Sequence, residues 1–267
     1  ARMTLEEKCA QLGGVWHTHL RDEHARLDMD KAAPLIADGI GQLGAVAGQS
    51  LTPADAVAAV NALQTHLREH TRLGIPALVH EEALEGVLAP GATQFPQAIG
   101  MASSWDPALV QEVATVSGRQ ARALGARLIL SPVLDIAREP RWGRTEETFG
   151  EDPALVSRLG VAFVRGMQSN GVECCAKHFL GHGSPRAGLN HNEVVIGPRR
   201  LRDVDAAPFR AAINEAGLKA AMNAYHEIDG LPVTSSPEYL IDLLRDELGM
   251  GEDGIVVADY YAVDDLE

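Results

Sequence analysis

Short apolar runs at 43–47, 77–79, 127–130, 172–176, 218–222 and 255–258 alternate with longer stretches at 54–68, 107–124, 153–168, 201–215 and 237–248 whose apolar residues recur at helical spacing. Within 107–124, Leu109, Val113, Val116 and Leu124 fall on one face. Asp106-Pro107 and Asp152-Pro153 mark two helix starts, since an Asp cap precedes a proline that needs no N–H partner. Strands separated by crossover helices predict a parallel sheet, because a parallel neighbour is reached only by a long return. Doubly wound sheets and barrels both satisfy that pattern.

Polar residues close the apolar runs: His80, Glu81 and Glu82; Asp135 beyond the third; Lys177 and His178; Asn223 and Tyr225; Asp259. Chemistry spread over so many strand ends favours an α/β barrel of the (β/α)8, or TIM, type. Six candidate strands fall short of the eight a closed barrel needs, so the barrel is expected to be incomplete at its C-terminal end.

The chain has 267 residues, 46% hydrophobic and 22% charged, which is globular composition at the length of one barrel. Lacking a repeat or a Pro/Gly/Ser linker, residues 1–267 read as one domain. Net charge is −14 and there is no basic run, which argues against nucleic acid and anionic membranes as partners. No apolar stretch approaches the roughly 20 residues of a membrane span. The first residues lack an apolar signal core, so a cytoplasmic location is the expectation, although the chain does not begin with Met. Cys9, Cys174 and Cys175 read as reduced core cysteines without a chemical role.

Gly39-Ile40-Gly41-Gln42-Leu43-Gly44 fits the spacing of a dinucleotide loop, but it runs from helix into strand, the reverse of what a pyrophosphate site requires. His66/His70 and His178/His182 are four apart, yet neither pair has an identifiable third ligand. No metal and no cofactor is therefore expected.

Ala176-Lys177-His178-Phe179-Leu180-Gly181-His182-Gly183 places a cation and an imidazole where a buried strand turns. Their donors suit a polyhydroxylated ligand, and the competing reading is a snorkelling lysine beside a structural histidine. Asp259 ends the run Gly254-Ile255-Val256-Val257-Ala258 as a single acid at a strand mouth. It could attack an anomeric carbon or cap a following helix.

Taken in order, His80-Glu81-Glu82-Ala83-Leu84-Glu85-Gly86, Ser131-Pro132-Val133-Leu134-Asp135, Arg138-Glu139-Pro140-Arg141-Trp142-Gly143-Arg144, Glu147-Thr148-Phe149-Gly150-Glu151-Asp152-Pro153, Lys177-His178-Phe179 and Ala258-Asp259-Tyr260 resemble glycoside hydrolase family 3. The resemblance covers nearly the whole chain. It implies the N-terminal (β/α)8-like barrel of a retaining β-glucosidase or β-xylosidase, with an α/β sandwich domain following in the same polypeptide. It also implies Asp259 as nucleophile and Glu82, Arg144, Lys177, His178 and Tyr225 as ligands of the nonreducing-end sugar of a β-linked glycoside. Glu147 would orient Arg144 or Lys177, and Asp135 would brace the loop carrying Arg141 and Trp142. Departures are Ala258 where serine is common, Glu82 where many glucosidases have aspartate, and Glu85 where histidine is frequent.

A retaining mechanism needs a second group to protonate the leaving oxygen. In two-domain members that acid comes from the second domain, so residues 1–267 alone are expected to be nearly inactive. Two rival expectations stand beside this one. One is a β-N-acetylhexosaminidase with His191 as acid/base, although the Asp-Ser-His sequence of those enzymes is missing; the other is a sugar-binding fragment without catalysis.

Overall fold

The computed structural model describes residues 2–47 and 52–266. Seven strands form one parallel sheet: β1 (Gly14–Trp16), β2 (Gln42–Gly44), β3 (Leu78–Glu81), β4 (Leu128–Ile129), β5 (Glu173–Phe179), β6 (Ala220–Asn223) and, after a small hairpin of β7 (Glu227–Ile228) and β8 (Leu231–Pro232), β9 (Ile255–Val257). Neighbours in the sheet follow chain order throughout. A doubly wound sheet reverses its order at a switch point. This one has no reversal, so it curls steadily in one direction as an incomplete TIM barrel. The curl brings its edges together, and Trp16 at the end of β1 stacks on Tyr260 just past β9 with ring centroids 4.8 Å apart.

Six of the seven strands fall on the runs expected from sequence. The seventh, β1, is three residues long, starts at a glycine and has no fully buried residue. It therefore carries no apolar run to recognise.

Alternation along the strands divides the interior. Leu128, Leu130, Cys175, Ala220, Met222 and Val257 form the inward cluster. Ile129, Cys174, Ala176 and Ala221 face the helices on the other side. Cys174 and Cys175 are core residues as expected, whereas Cys9 lies exposed on α1 (Leu5–Leu12).

Crossovers run through α2 (Met29–Leu35), α3 (Pro53–His70), α4 (Ala98–Ala102) with α5 (Pro107–Ala123), and α6 (Pro153–Gln168). Asp106 accepts from the amides of Ala108 and Leu109, and Asp152 from that of Leu155, so both caps form where the Asp-Pro pairs lie. The glycine-rich motif joins α2 to β2, and a side chain at Gly41 would strike the Gln11 carbonyl.

In α5 the buried face is Val110, Ala114, Ser117, Gly118 and Ala121, while Leu109 is 46% exposed. This corrects the Leu109, Val113, Val116 face. Close approach of α6 is the cause, because a β-carbon on Gly118 would sit 3.1 Å from the Met167 backbone and one on Gly166 would meet the Gln111 carbonyl. Small residues permit that approach, and apolar periodicity does not weight them.

The stretch expected as one helix at 201–215 divides. A π turn at Leu201–Asp205 follows α7 (Pro198–Arg200) and precedes α8 (Ala207–Ala216). Pro208 has no N–H for the Val204 carbonyl, and the widened turn bonds Ala206 N–H to Leu201 O at 2.8 Å. The segment Glu238–Glu247 is likewise π-wound.

Candidate active site

Every candidate residue leaves the sheet at the C-terminal end of its strands. The loop after β4 does not turn away. It runs beside β5, with Lys177 N–H bonded to Pro132 O at 3.0 Å and Leu134 N–H to Lys177 O at 2.6 Å. That path carries Asp135 to His178, where one oxygen, Oδ2, accepts from the His178 backbone N–H at 3.0 Å and pairs with Nδ1 at 2.8 Å. Asp135 is thus bonded to β5. Its two described hydrogen bonds both go to His178 rather than to the loop of Arg141 and Trp142. Burial pushes its carboxyl up to about 7, against the pull of the His178 amide.

Asp259 stands across the same imidazole. Its Oδ1 accepts from the Tyr225 hydroxyl at 2.7 Å and from the Tyr260 N–H at 2.8 Å. Its Oδ2, buried and without a hydrogen-bond partner among the described residues, lies 3.5 Å from His178 Nε2. The amide it receives is its immediate neighbour's, so it does not cap a helix. Burial raises its pKa. The Tyr225 hydroxyl, the Tyr260 amide and the fields of Lys177 and Arg144 pull the other way and favour the carboxylate.

On one flank, Lys177 Nζ pairs with Glu82 at 2.9 Å, with only 6% of the lysine side chain exposed. The ammonium does not snorkel to solvent; it ends on a carboxylate inside the site. Arg144 forms a two-point pair with Glu147 at 2.7 and 2.8 Å. Burial opposes the guanidinium charge, but Glu147, Asp135 and Asp259 together outweigh it and raise the Arg144 pKa. These four residues line a recess of about 230 Å³ together with Leu84, Glu85, Gly86 and Leu88. Burial, then the neighbouring Glu147 and Glu82, raise the Glu85 pKa.

On the other flank, the Tyr225 ring stacks on His191 at 4.2 Å, and both border a second recess of about 470 Å³. Behind them lie the buried rings of His182 and His226, parallel and 5.2 Å apart. Trp142 is buried edge-on to His182 and bonds Asn190 through its indole N–H, while Arg141 is exposed and pairs with Glu139.

Sequence reasoning named His80 only as a strand end and gave Trp16 and His226 no role. His80 Nδ1 meets Gln42 at 2.9 Å and Nε2 faces the Tyr260 hydroxyl at 3.4 Å, beneath the Trp16–Tyr260 stack. Trp16 carried no signal, because its partner is 244 positions away in sequence (260 minus 16) and their meeting depends on the curl of the sheet. His66 and His70 lie on α3 remote from these groups, with ring centroids 5.0 Å apart.

A parallel barrel with a lone acid at one strand mouth, flanked by a lysine, an arginine and an imidazole, defines the class of barrel proteins that present polar chemistry to a ligand at the C-terminal rim. The comparisons with known proteins narrow that class. The glycosyl hydrolase family 3 N terminal domain profile matches residues 4–267, and the chain belongs to that family. A β-xylosidase of Formosa agariphila is 42% identical over 210 residues, covering 73% of this chain and 29% of that protein. A periplasmic β-glucosidase of Salmonella typhimurium is 32% identical over 271 residues, covering 99% and 33%. Among solved structures, a β-glucosidase from Erythrobacter marinus superposes with a TM-score of 0.88 at 40% identity, covering 96% of this chain and 34% of that one. A Listeria innocua β-glucosidase in complex with isofagomine gives 0.84 at 32%, covering 99% and 36%. The chain thus spans about a third of the length of these relatives.

Proposed function

We propose that this chain is the nucleophile-bearing barrel of an exo-acting, retaining β-glycosidase that removes a nonreducing-end glucose or xylose. The observation that carries the reading is the convergence on Asp259: a buried carboxylate with one oxygen held by two donors and the other without a hydrogen-bond partner among the described residues, in the field of Lys177 and Arg144. The family and the β-xylosidase and β-glucosidase names of the relatives support it over the N-acetylhexosaminide reading.

Asp259 Oδ2 attacks the anomeric carbon as the C–O bond to the leaving group breaks, giving a glycosyl ester. Tyr225 and the Tyr260 amide hold Oδ1, which fixes the carboxylate plane and keeps it ionised as ring charge builds. Lys177, Glu82 and Arg144 supply donors and acceptors for the ring hydroxyls, and Glu147 holds Arg144 in place. The leaving oxygen takes a proton from an acid that we place on the α/β sandwich domain of the same polypeptide. Water then cleaves the ester with that group acting as base, restoring the carboxylate and the original configuration.

Incubation of the polypeptide with a 2-deoxy-2-fluoro β-glycosyl fluoride, followed by peptide mass mapping, tests this. Glycosylation of Asp259 is the expected result. Labelling at another residue refutes the assignment, and Asp259→Ala with unchanged turnover would favour sugar binding without catalysis.

A further inference from the structure

His178 lies between two carboxylates. Its Nδ1 is 2.8 Å from Asp135 Oδ2 and its Nε2 3.5 Å from Asp259 Oδ2, with all three side chains at most 6% exposed. The Asp135 oxygen that meets Nδ1 also accepts the His178 backbone N–H, so ring and main chain are fixed to one acceptor. An imidazole with a single proton keeps it on Nδ1, against Asp135. It then turns a bare Nε2 lone pair toward Asp259, and two acceptors face each other across 3.5 Å. His178 Nε2 and Asp259 Oδ2 are indeed both buried without a hydrogen-bond partner among the described residues.

From this geometry we infer that Asp135 and His178 form a single proton-holding unit in which Asp135 is a positioning residue, setting whether His178 Nε2 donates to Asp259 or opposes it. The inference rests on Asp259 being the nucleophile. One added proton settles on Nε2, or on Asp135 with the ring proton transferred to Nε2. Either way Nε2–H points at Asp259 Oδ2 and stabilises the carboxylate that must attack. The total charge of the three groups goes from −2 to −1, and no other group need change.

The surroundings make Asp135 the adjustable member. His178 is pressed toward neutrality by burial and by His182, with Arg144, Lys177 and His226 adding to it. Around Asp135, Arg144 favours the ionised form while Glu147 and Asp205 oppose it. Burial raises the Asp259 pKa, while Tyr225, Lys177 and Arg144, which it faces, favour its ionised form. A carboxyl that burial lifts to about 7 exchanges its proton where the enzyme would work.

The test uses the polypeptide with its acid/base and the rate of inactivation by a 2-deoxy-2-fluoro β-glycosyl fluoride from pH 4 to 9. Fluoride departs without an acid, so the profile reports the nucleophile alone. Asp135→Asn preserves an oxygen for both His178 N–H groups but cannot exchange a proton. Its acid limb should move to higher pH by about one unit, the low end of what losing a close favourable partner does to a carboxyl. His178→Asn keeps a donor for Asp135 and loses the group facing Asp259; it should show the same shift, and the double variant no further one. A slower Asp135→Asn with its profile unmoved overturns the inference, as do additive shifts in the double variant. Should Asp135→Asn not fold, an unmoved limb in His178→Asn overturns it equally. Wild-type labelling away from Asp259 instead removes the underlying reading, which separates the two failures.

Discussion

The Tyr225 hydroxyl donates to Asp259 Oδ1 at 2.7 Å, joining the second residue past β6 to the second residue past β9 across the rim of the sheet. The same contact raises the phenol pKa, burial being the larger cause and the bond to Asp259 the next. Each group therefore holds the other in its working protonation state.

Tyr225→Phe removes that donor and leaves the ring on His191. A hydrogen bond to a charged group contributes roughly 1.5–3 kcal/mol, so kcat/KM should fall about 10- to 160-fold. Because the lost donor favoured the carboxylate, the acid limb of the profile should rise in pH. Steady-state kinetics on an aryl β-xyloside across pH would show both.

Glu82 reaches Lys177 at 2.9 Å and occupies space in the recess they share. Glu82→Asp shortens the side chain by one methylene. We expect the ratio of kcat/KM for glucoside over xyloside to increase, by about 10-fold on the scale of one methylene in a pocket. Paired assays with nitrophenyl glucoside and xyloside measure it; an unchanged ratio would detach Glu82 from sugar choice.

With the acid/base proposed to lie on a following domain, residues 1–267 alone should discriminate sharply among leaving groups. Dinitrophenolate departs unprotonated, whereas an alkoxide does not. The isolated segment should therefore show residual turnover on a dinitrophenyl glycoside and almost none on an alkyl glycoside. Full turnover of both would place the acid within these residues.

Burial holds the His226 imidazole down to about 4, with a bond to the Leu180 backbone acting in the opposite direction. A folded pKa below the unfolded value of about 6.5 contributes stability that is complete above 6.5 and is lost as pH falls toward and through about 4. The loss amounts to about 3 kcal/mol on the scale of 1.36 kcal/mol per unit. Urea midpoints at pH 7 and 4.5 should separate less in His226→Asn than in wild type.

Phe179 is fully buried at the end of β5, edge-on to Phe209 of α8 with centroids 5.1 Å apart. Phe179→Ala should destabilise by about 3–5 kcal/mol, because helices held on both sides of the strand cannot collapse into the space. Since β5 also carries Lys177 and His178, affinity for an uncharged sugar lactone should weaken in the same variant.

Much of the site was legible before any coordinates. Lys177 and His178 follow the apolar residues 174–176 and Asp259 follows 255–258, and a polar residue directly after such a run has its position set by the strand. Glu147 was named through the family resemblance as orienting Arg144 or Lys177, and its two-point bond goes to Arg144, three positions away. Asp135 was legible as a supporting carboxylate but its partner was not. The loop from 131 to 135 pairs with β5, and nothing local announces a contact between residues 43 apart.

Taken alone, the order of residues determined the parallel alternation, both Asp-Pro helix starts and the strand-end groups, because these arise from periodicity and from chemistry within a few positions. The tertiary structure decided which face of α5 is buried, that a weak first strand completes one edge of the sheet, and which atoms of Asp135, His178 and Asp259 meet. Those outcomes depend on the curl of the sheet and on close helix packing, and both are set by contacts summed over the whole chain rather than by any segment of it.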